Sequence, residues 1–335
     1  MSGTAVWRTL PWGLRPLWRG WRRCHPRKCQ RIWTHLSGRA AKGETAENHG
    51  GARSSAAARQ RHVPAALGTL AAAALLAAGC AHFGQPAARE IVWEGAVTVR
   101  DDVLVAAGER LVVRPGTRVT FAFRDDDGDG AGDARILVRG AIDAGGSAAA
   151  PVTFAAERPG AAGAAGWKEI LVEDAADALF VECRFSGAQQ AVHAHRTPLI
   201  VERCRFEGNA IGLRFTGGPV SVHASAFAGN GTAVRFWASS PEITANDFAD
   251  NGTAVFVREC SPRVVLRGNN FRASADYHVK LGEAQPEDVD ARGNWWGTAD
   301  PTEIERLIYD RLDADYIGRV RYDWPKSGPW RLDVP

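Results

Sequence analysis

Short apolar–polar alternations fill most of this chain, and the alternations themselves recur. Phe185, Phe206, Phe227 and Phe248 are spaced 21 residues apart; Phe271 follows after 23 residues and Trp296 after 25. Pro198, Pro219, Pro241 and Pro262 each lie 13 or 14 residues after one of the first four aromatics. Asn209, Asn230 and Asn251 each come three residues after a Phe. A fixed period in the low twenties marks a solenoid, because one unit cannot bury its own apolar face and must stack on copies of itself. No unit holds ten or more residues with helical periodicity, and the Leu-x-x-Leu-x-Leu pattern of a leucine-rich repeat is missing.

The alternations predict three short strands per coil, separated by Gly, Asn and Pro, and so an all-β parallel β-helix. Period two assigns the faces. Val192, Leu213, Val234 and Val255 point inward, as do Ala194, Phe215, Phe236 and Val257 two residues on. Phe180, Val201, Val222, Ile243 and Leu266 form a third stack, and the Phe series a fourth. Cys183, Cys204, Ser225, Asn246, Asn269 and Asn294 read as an inward polar ladder at a bend, where small polar side chains satisfy backbone groups and tolerate left-handed conformations. Residues 88–335 are expected to form one domain of roughly eight or nine coils by length and period. Glu90 to Val99 is expected to cover its first edge. Ile304, Leu307 and Ile308, at helical spacing within Pro301–Arg311, predict a short capping helix at the other end.

Four segments carry a family resemblance. Val112-Val-Arg-Pro-Gly-Thr-Arg-Val119 resembles an opening coil, Gly166-Trp-Lys-Glu-Ile-Leu-Val172 a "Gly-Trp-x-x-Ile" coil, and Ile243-x-x-Asn246-x-Phe248 a repeat unit. Gly293-Asn-Trp-Trp-Gly297, with Ile304, Ile308 and Asp310 after it, resembles a closing coil and cap. Together they are similar to the right-handed parallel β-helix proteins of bacteria, the pectate-lyase-like superfamily with carbohydrate-binding and sugar-hydrolase type repeats. The resemblance implies fold far more than activity, since one solenoid shape serves many chemistries.

Composition then divides the chain. Residues 1–79 hold 13 of the 41 Lys+Arg, two of the 38 acidic residues and five of the 12 Trp. The remainder has 28 basic and 36 acidic residues, a formal charge of −8, so the whole-chain value of +3 misleads and nucleic acid is not an expected partner. Residues 1–58 read as a leader upstream of the natural start, or as disordered. Cys24, His25, Cys29 and His35 lie there at spacings that match no tight structural zinc site. Residues 59–79 read as a signal peptide: basic Arg59-Gln-Arg61-His62, then an apolar stretch from Val63 to Ala78. Leu76-Ala-Ala-Gly-Cys80 resembles a lipobox, with Ala77 where Leu is more usual. Cys80 is the expected lipidation site, 80–87 a tether, and the protein exported and held in the cell envelope by several acyl chains. With Ala81 rather than Asp after the Cys, a Gram-negative host would sort it to the outer membrane. It is expected to be a monomer.

Candidate chemistry lies in three places. Asp125, Asp127 and Asp129 with Gly130 satisfy Asp-x-Asp-x-Asp-Gly, and Asp133 adds a fourth carboxylate; hard oxygens at this spacing suit a structural Ca²⁺, although Ile136 stands where an EF-hand has its bidentate Glu. On the outward face of successive coils lie His193, Arg214, Arg235 and Phe256, and beside them His195, Thr216, Trp237 and Arg258. This basic and aromatic stripe suits an acidic polysaccharide, because aromatics stack on sugar rings and Arg forks to carboxylates. His193 and His195 could share a metal, but no third ligand is evident in the sequence. Asp276, His278 and Lys280 are expected to extend the stripe and, with Arg258, would form the active cluster of a lyase or glycosidase. Cys183 and Cys204 are expected as buried thiols, with Cys260 free. The chain shows no Ser-His-Asp context, Walker loop or dinucleotide fingerprint. A metal-protein maturation factor is a third reading, weakened by the lack of thioether ligands: the single Met is Met1. The first reading is an envelope protein that binds glycan or acts as a scaffold.

Overall fold

A computed structural model describes residues 89–335. Cys80, the signal segment and the leader lie outside the described residues. Each of the first eight coils gives one strand to each of three sheets. The coil after Pro198 shows the plan: Leu199–Glu202, then Arg205–Glu207, then Ile211–Thr216. The first sheet stacks ten strands from Arg89–Trp93 to Val320–Arg321, the second eight from Ala96–Val99 to Asn270–Arg272, and the third nine from Val103–Val105 to Ile308–Tyr309. Every pairing between these strands is parallel. The chain is a right-handed parallel β-helix.

The interior is stacked in register as the period requires. Phe206, Phe227, Phe248 and Phe271 are successive register partners. Their rings, with Phe185 before them, lie face to face at centroid separations of 4.6 to 5.1 Å. Trp296 ends the series at 4.8 Å from Phe271. Offset stacking at one strand spacing lets identical side chains fill the core without clash.

Three polar ladders line the bends. Along one, Cys204 N donates to Ser225 Oγ, Ser225 N to Asn246 Oδ1, Asn246 N to Asn269 Oδ1 and Asn269 N to Asn294 Oδ1, at 2.8 to 3.0 Å. Along the second, the backbone N of Ala188, Asn209 and Asn230 donates to Asn209, Asn230 and Asn251. A third runs through Ser239, Ser261 and Gln285. The bends leave backbone groups without strand partners, and each ladder side chain supplies one. On the first ladder the left-handed residue is the one before the ladder position, namely Glu182, Arg203, Ala224, Ala245, Gly268 and Gly293. Cys183 and Cys204 are buried free thiols, and burial pushes the Cys183 thiol well above its usual pKa. Cys260, expected free, is not among the free thiols.

Both ends differ from expectation. Glu90 to Val99 does not lie over the first coil; Arg89–Trp93 and Ala96–Val99 are themselves strands of it. At the other end the helix spans only Pro301–Arg306, with Asp300 capping Thr302 N and Pro301 in its first turn. Ile308 leaves the helix because Ile308–Tyr309 pairs with Val279 and Lys280, completing the exposed edge of the third sheet. The chain end then runs back along the second sheet: Trp330 exchanges two hydrogen bonds with Asn270, and Arg205 donates to Pro335 O.

Candidate functional site: the outer face of the third sheet

Register places two outward rows on the third sheet. One is Leu171, His193, Arg214, Arg235, Phe256, Lys280 and Tyr309; the other is Glu173, His195, Thr216, Trp237 and Arg258. The expected stripe is assembled, with Lys280 extending it as expected and Tyr309 added at its end. The cations and rings interleave. Arg214 lies 5.0 Å from the Trp237 ring centre, Arg235 5.5 Å and Arg258 5.9 Å from that of Phe256. Lys280 stands 5.4 to 5.6 Å from the ring centres of Phe256, Tyr277 and Tyr309.

The charges on this face are poorly compensated. Arg258 pairs with Glu259 at 3.0 Å. Arg214 has only a neutral partner, Gln190 Oε1 at 2.7 Å, and neither Arg214 nor Arg235 has an ion pair among the described residues. The Nε of each is buried without a hydrogen-bond partner. Burial pushes both guanidinium pKa values down, although arginine stays charged at any ordinary pH. A buried, unpaired charged donor is a standing cost.

At the first coil of the stripe the structure adds a carboxylate that the sequence reading missed. Glu169, 5 % exposed, places Oε2 2.8 Å from His193 Nδ1, and His193 Nε2 lies 2.7 Å from His195 Nε2. A register shift between Gln190 and Val192 sets this arrangement, because it changes which residues of Trp167–Glu173 lie opposite Ala188–His195. The bonding order fixes the tautomers. The carboxylate oxygen of Glu169 accepts, so His193 Nδ1 donates to it, His193 Nε2 accepts, and His195 Nε2 donates. Burial, ahead of any neighbouring charge, pushes the His195 pKa down. Apart from the irregular spacing before Ala188, the sequence carried no sign of this chain of groups.

The predicted active cluster does not form. Arg258 and Lys280 are on the face and Asp276 is exposed beside it. His278 is buried at 1 % exposure and hydrogen-bonded to Ser274 Oγ at 2.8 Å, behind Phe271 and Trp296. It occupies the inward place that Gly212, Ala233 and Ala254 fill on earlier coils, where the chain is still turning into the strand. Burial lowers its pKa from 6.5 to about 4. The unfolded chain therefore gains a proton near pH 6.5 while the folded one waits until about 4. Stability present above pH 6.5 is lost as pH falls through this window, by about 3 kcal/mol. Melting wild type and His278→Gln between pH 7.5 and 4.5 should show a smaller pH-dependent fall for the variant; equal falls would refute this account.

The acidic loop is formed in part as expected. Asp125, Asp127 and Asp133 bring carboxylate oxygens within 4.8 Å of one another. Asp129 stands outside that group, its Oδ1 accepting from Ala131 N at 2.7 Å. The Lys168 ammonium, 2.9 Å from Asp133, holds that carboxyl below its usual pKa.

The family model described as "Right handed beta helix region" matches residues 165–294. No curated protein and no solved structure matches the chain. The match and the three parallel sheets define a parallel β-helix repeat protein. No helix among the described residues is long and apolar enough to cross a membrane.

Proposed function

We propose that this protein binds an anionic glycan along the outer face of the third sheet. The carrying observation is that Arg214 and Arg235, one coil apart, are half-buried, Arg214 against Trp237 and Arg235 against Phe256, with no ion pair among the described residues. Successive strands repeat at about 4.8 Å, so the face presents cations at a regular interval, which suits a polymer of repeating acidic units. The aromatic rings supply apolar platforms between them. Likeness to the pectate-lyase-like superfamily belongs to this reading. The test is a screen of the protein against acidic and neutral glycans, reading both retention and product release. Salt-sensitive retention of acidic glycans alone supports binding. Silence on every glycan would sink it and leave an envelope scaffold.

A second reading, a polysaccharide lyase or glycoside hydrolase, rests on the Glu169–His193–His195 chain rather than on the cluster around His278. Unsaturated or reducing-end products in the same screen would carry it.

The same proposal places the protein in the cell envelope, anchored through lipid on Cys80. Cys80→Ala should then move it from the membrane fraction to the soluble one; unchanged fractionation would remove the anchor. It also assigns a structural Ca²⁺ to Asp125, Asp127 and Asp133. The three carboxylates are hard oxygen ligands, but the cation must displace the Lys168 ammonium from Asp133. Millimolar Ca²⁺ should raise the melting temperature of wild type and not of Asp125→Asn/Asp127→Asn; an equal response in both would end the assignment.

A further inference from the structure

We infer that His193, His195 and Glu173 form a site for a divalent transition metal, with Glu169 orienting His193. The two imidazoles project from one strand at i and i+2, and their Nε2 atoms converge to 2.7 Å. In the metal-free chain a single proton, donated by His195 Nε2 to His193 Nε2, holds this contact, and a metal ion takes its place once the nitrogens spread to about 3.3 Å, the span of two bonds of about 2.0 Å at a tetrahedral angle. Behind His193, the buried Glu169 carboxylate accepts from Nδ1 at 2.8 Å. A carboxylate behind an imidazole fixes the tautomer with Nε2 free to ligate and raises its basicity, the usual outer support of a metal-bound histidine.

Glu173 supplies the third ligand. It is the register partner of His195 on the same outer face, and its carboxylate is held only by a 3.6 Å approach to Arg139. Turning from Arg139 to the histidines completes a set of two histidines and one carboxylate. Imidazole nitrogens select Zn²⁺, Cu²⁺, Ni²⁺ or Co²⁺ over Ca²⁺. Glu169 and Glu173 together offset the metal's charge beside Arg214. Nothing in the fold calls for this arrangement: the same rows hold Leu171 one coil earlier and Arg214 and Thr216 one coil later. The inference stands independently of glycan binding.

The test uses the full chain, stripped by chelator and then held in excess Ca²⁺ so that the acidic loop does not compete. Zn²⁺ is titrated calorimetrically and Co²⁺ by visible absorption. Cys24, His25, Cys29 and His35 can also take metal, so the readout is the difference between wild type and variants. Wild type should bind one more equivalent than His195→Ala, at a half-buried position on the outer face, and than His193→Ala, with thermal melts checking that both variants fold. Glu169→Gln should keep the stoichiometry and weaken binding by about 10–100-fold. Glu173→Gln should also weaken it. Because the metal replaces a proton, binding to wild type should release protons. Equal stoichiometry and affinity in wild type, His195→Ala and Glu173→Gln would overturn the site, as would no uptake at all.

Discussion

Phe227→Ala should lower stability by about 3–5 kcal/mol, the usual cost of emptying a buried aromatic position. Phe227 is fully buried and stacks on Phe206 at 4.8 Å and Phe248 at 5.0 Å. Removing it deletes two stacking contacts and leaves a gap that neither neighbour can close, since each ring is held by its own coil. In a solenoid, stability is close to a sum of nearest-neighbour terms, so the loss falls on the two interfaces that Phe227 shares. At the scale usual for a domain of this size the melting temperature should drop by about 10 °C. Thermal melts of the two proteins check it. A change below about 1 kcal/mol would mean that the coils re-close over the gap and that the aromatic series is not the main adhesive of the stack.

Arg214→Ala/Arg235→Ala should weaken binding to an acidic glycan by about 100-fold or more, taking each charged hydrogen bond at about 1.5–3 kcal/mol. The two guanidiniums sit one coil apart, Arg214 against Trp237 and Arg235 against Phe256, without a carboxylate partner. Bound anions would supply the negative partner that the free protein lacks here. Arg118→Ala, at an exposed position on the second sheet, should leave affinity unchanged. Titrations at two salt concentrations separate the contributions, because screening weakens exposed charges more than half-buried ones. If the double variant and the Arg118 control bind alike, the face is not the site.

The repeat was legible because every coil solves the same packing problem. Phe227 and Asn230 meet the same neighbours as Phe206 and Asn209, so the required side chains recur in sequence at the coil length. Period two then separated inner from outer rows correctly wherever the strand was regular. It failed at His278, because the chain bends into that strand and two consecutive residues, His278 and Val279, are both buried. It failed at Ile308 for a different reason. Helical spacing continues through that residue, but the open edge of Tyr277–Leu281 offers backbone hydrogen bonds that a further helical turn cannot match.

The sequence alone thus determined the solenoid, its inner stacks, one of its polar ladders and the two outward rows that begin at His193 and His195. Each follows from local alternation repeated at one period, and a repeated contact leaves a repeated letter. Tertiary structure decided which charges lack partners and which groups meet across coils. Glu169 reaches His193 through a register shift between strands 24 residues apart, an event that occurs once and so leaves no periodic trace. The orphaned Nε atoms of Arg214 and Arg235 are likewise a property of what surrounds them.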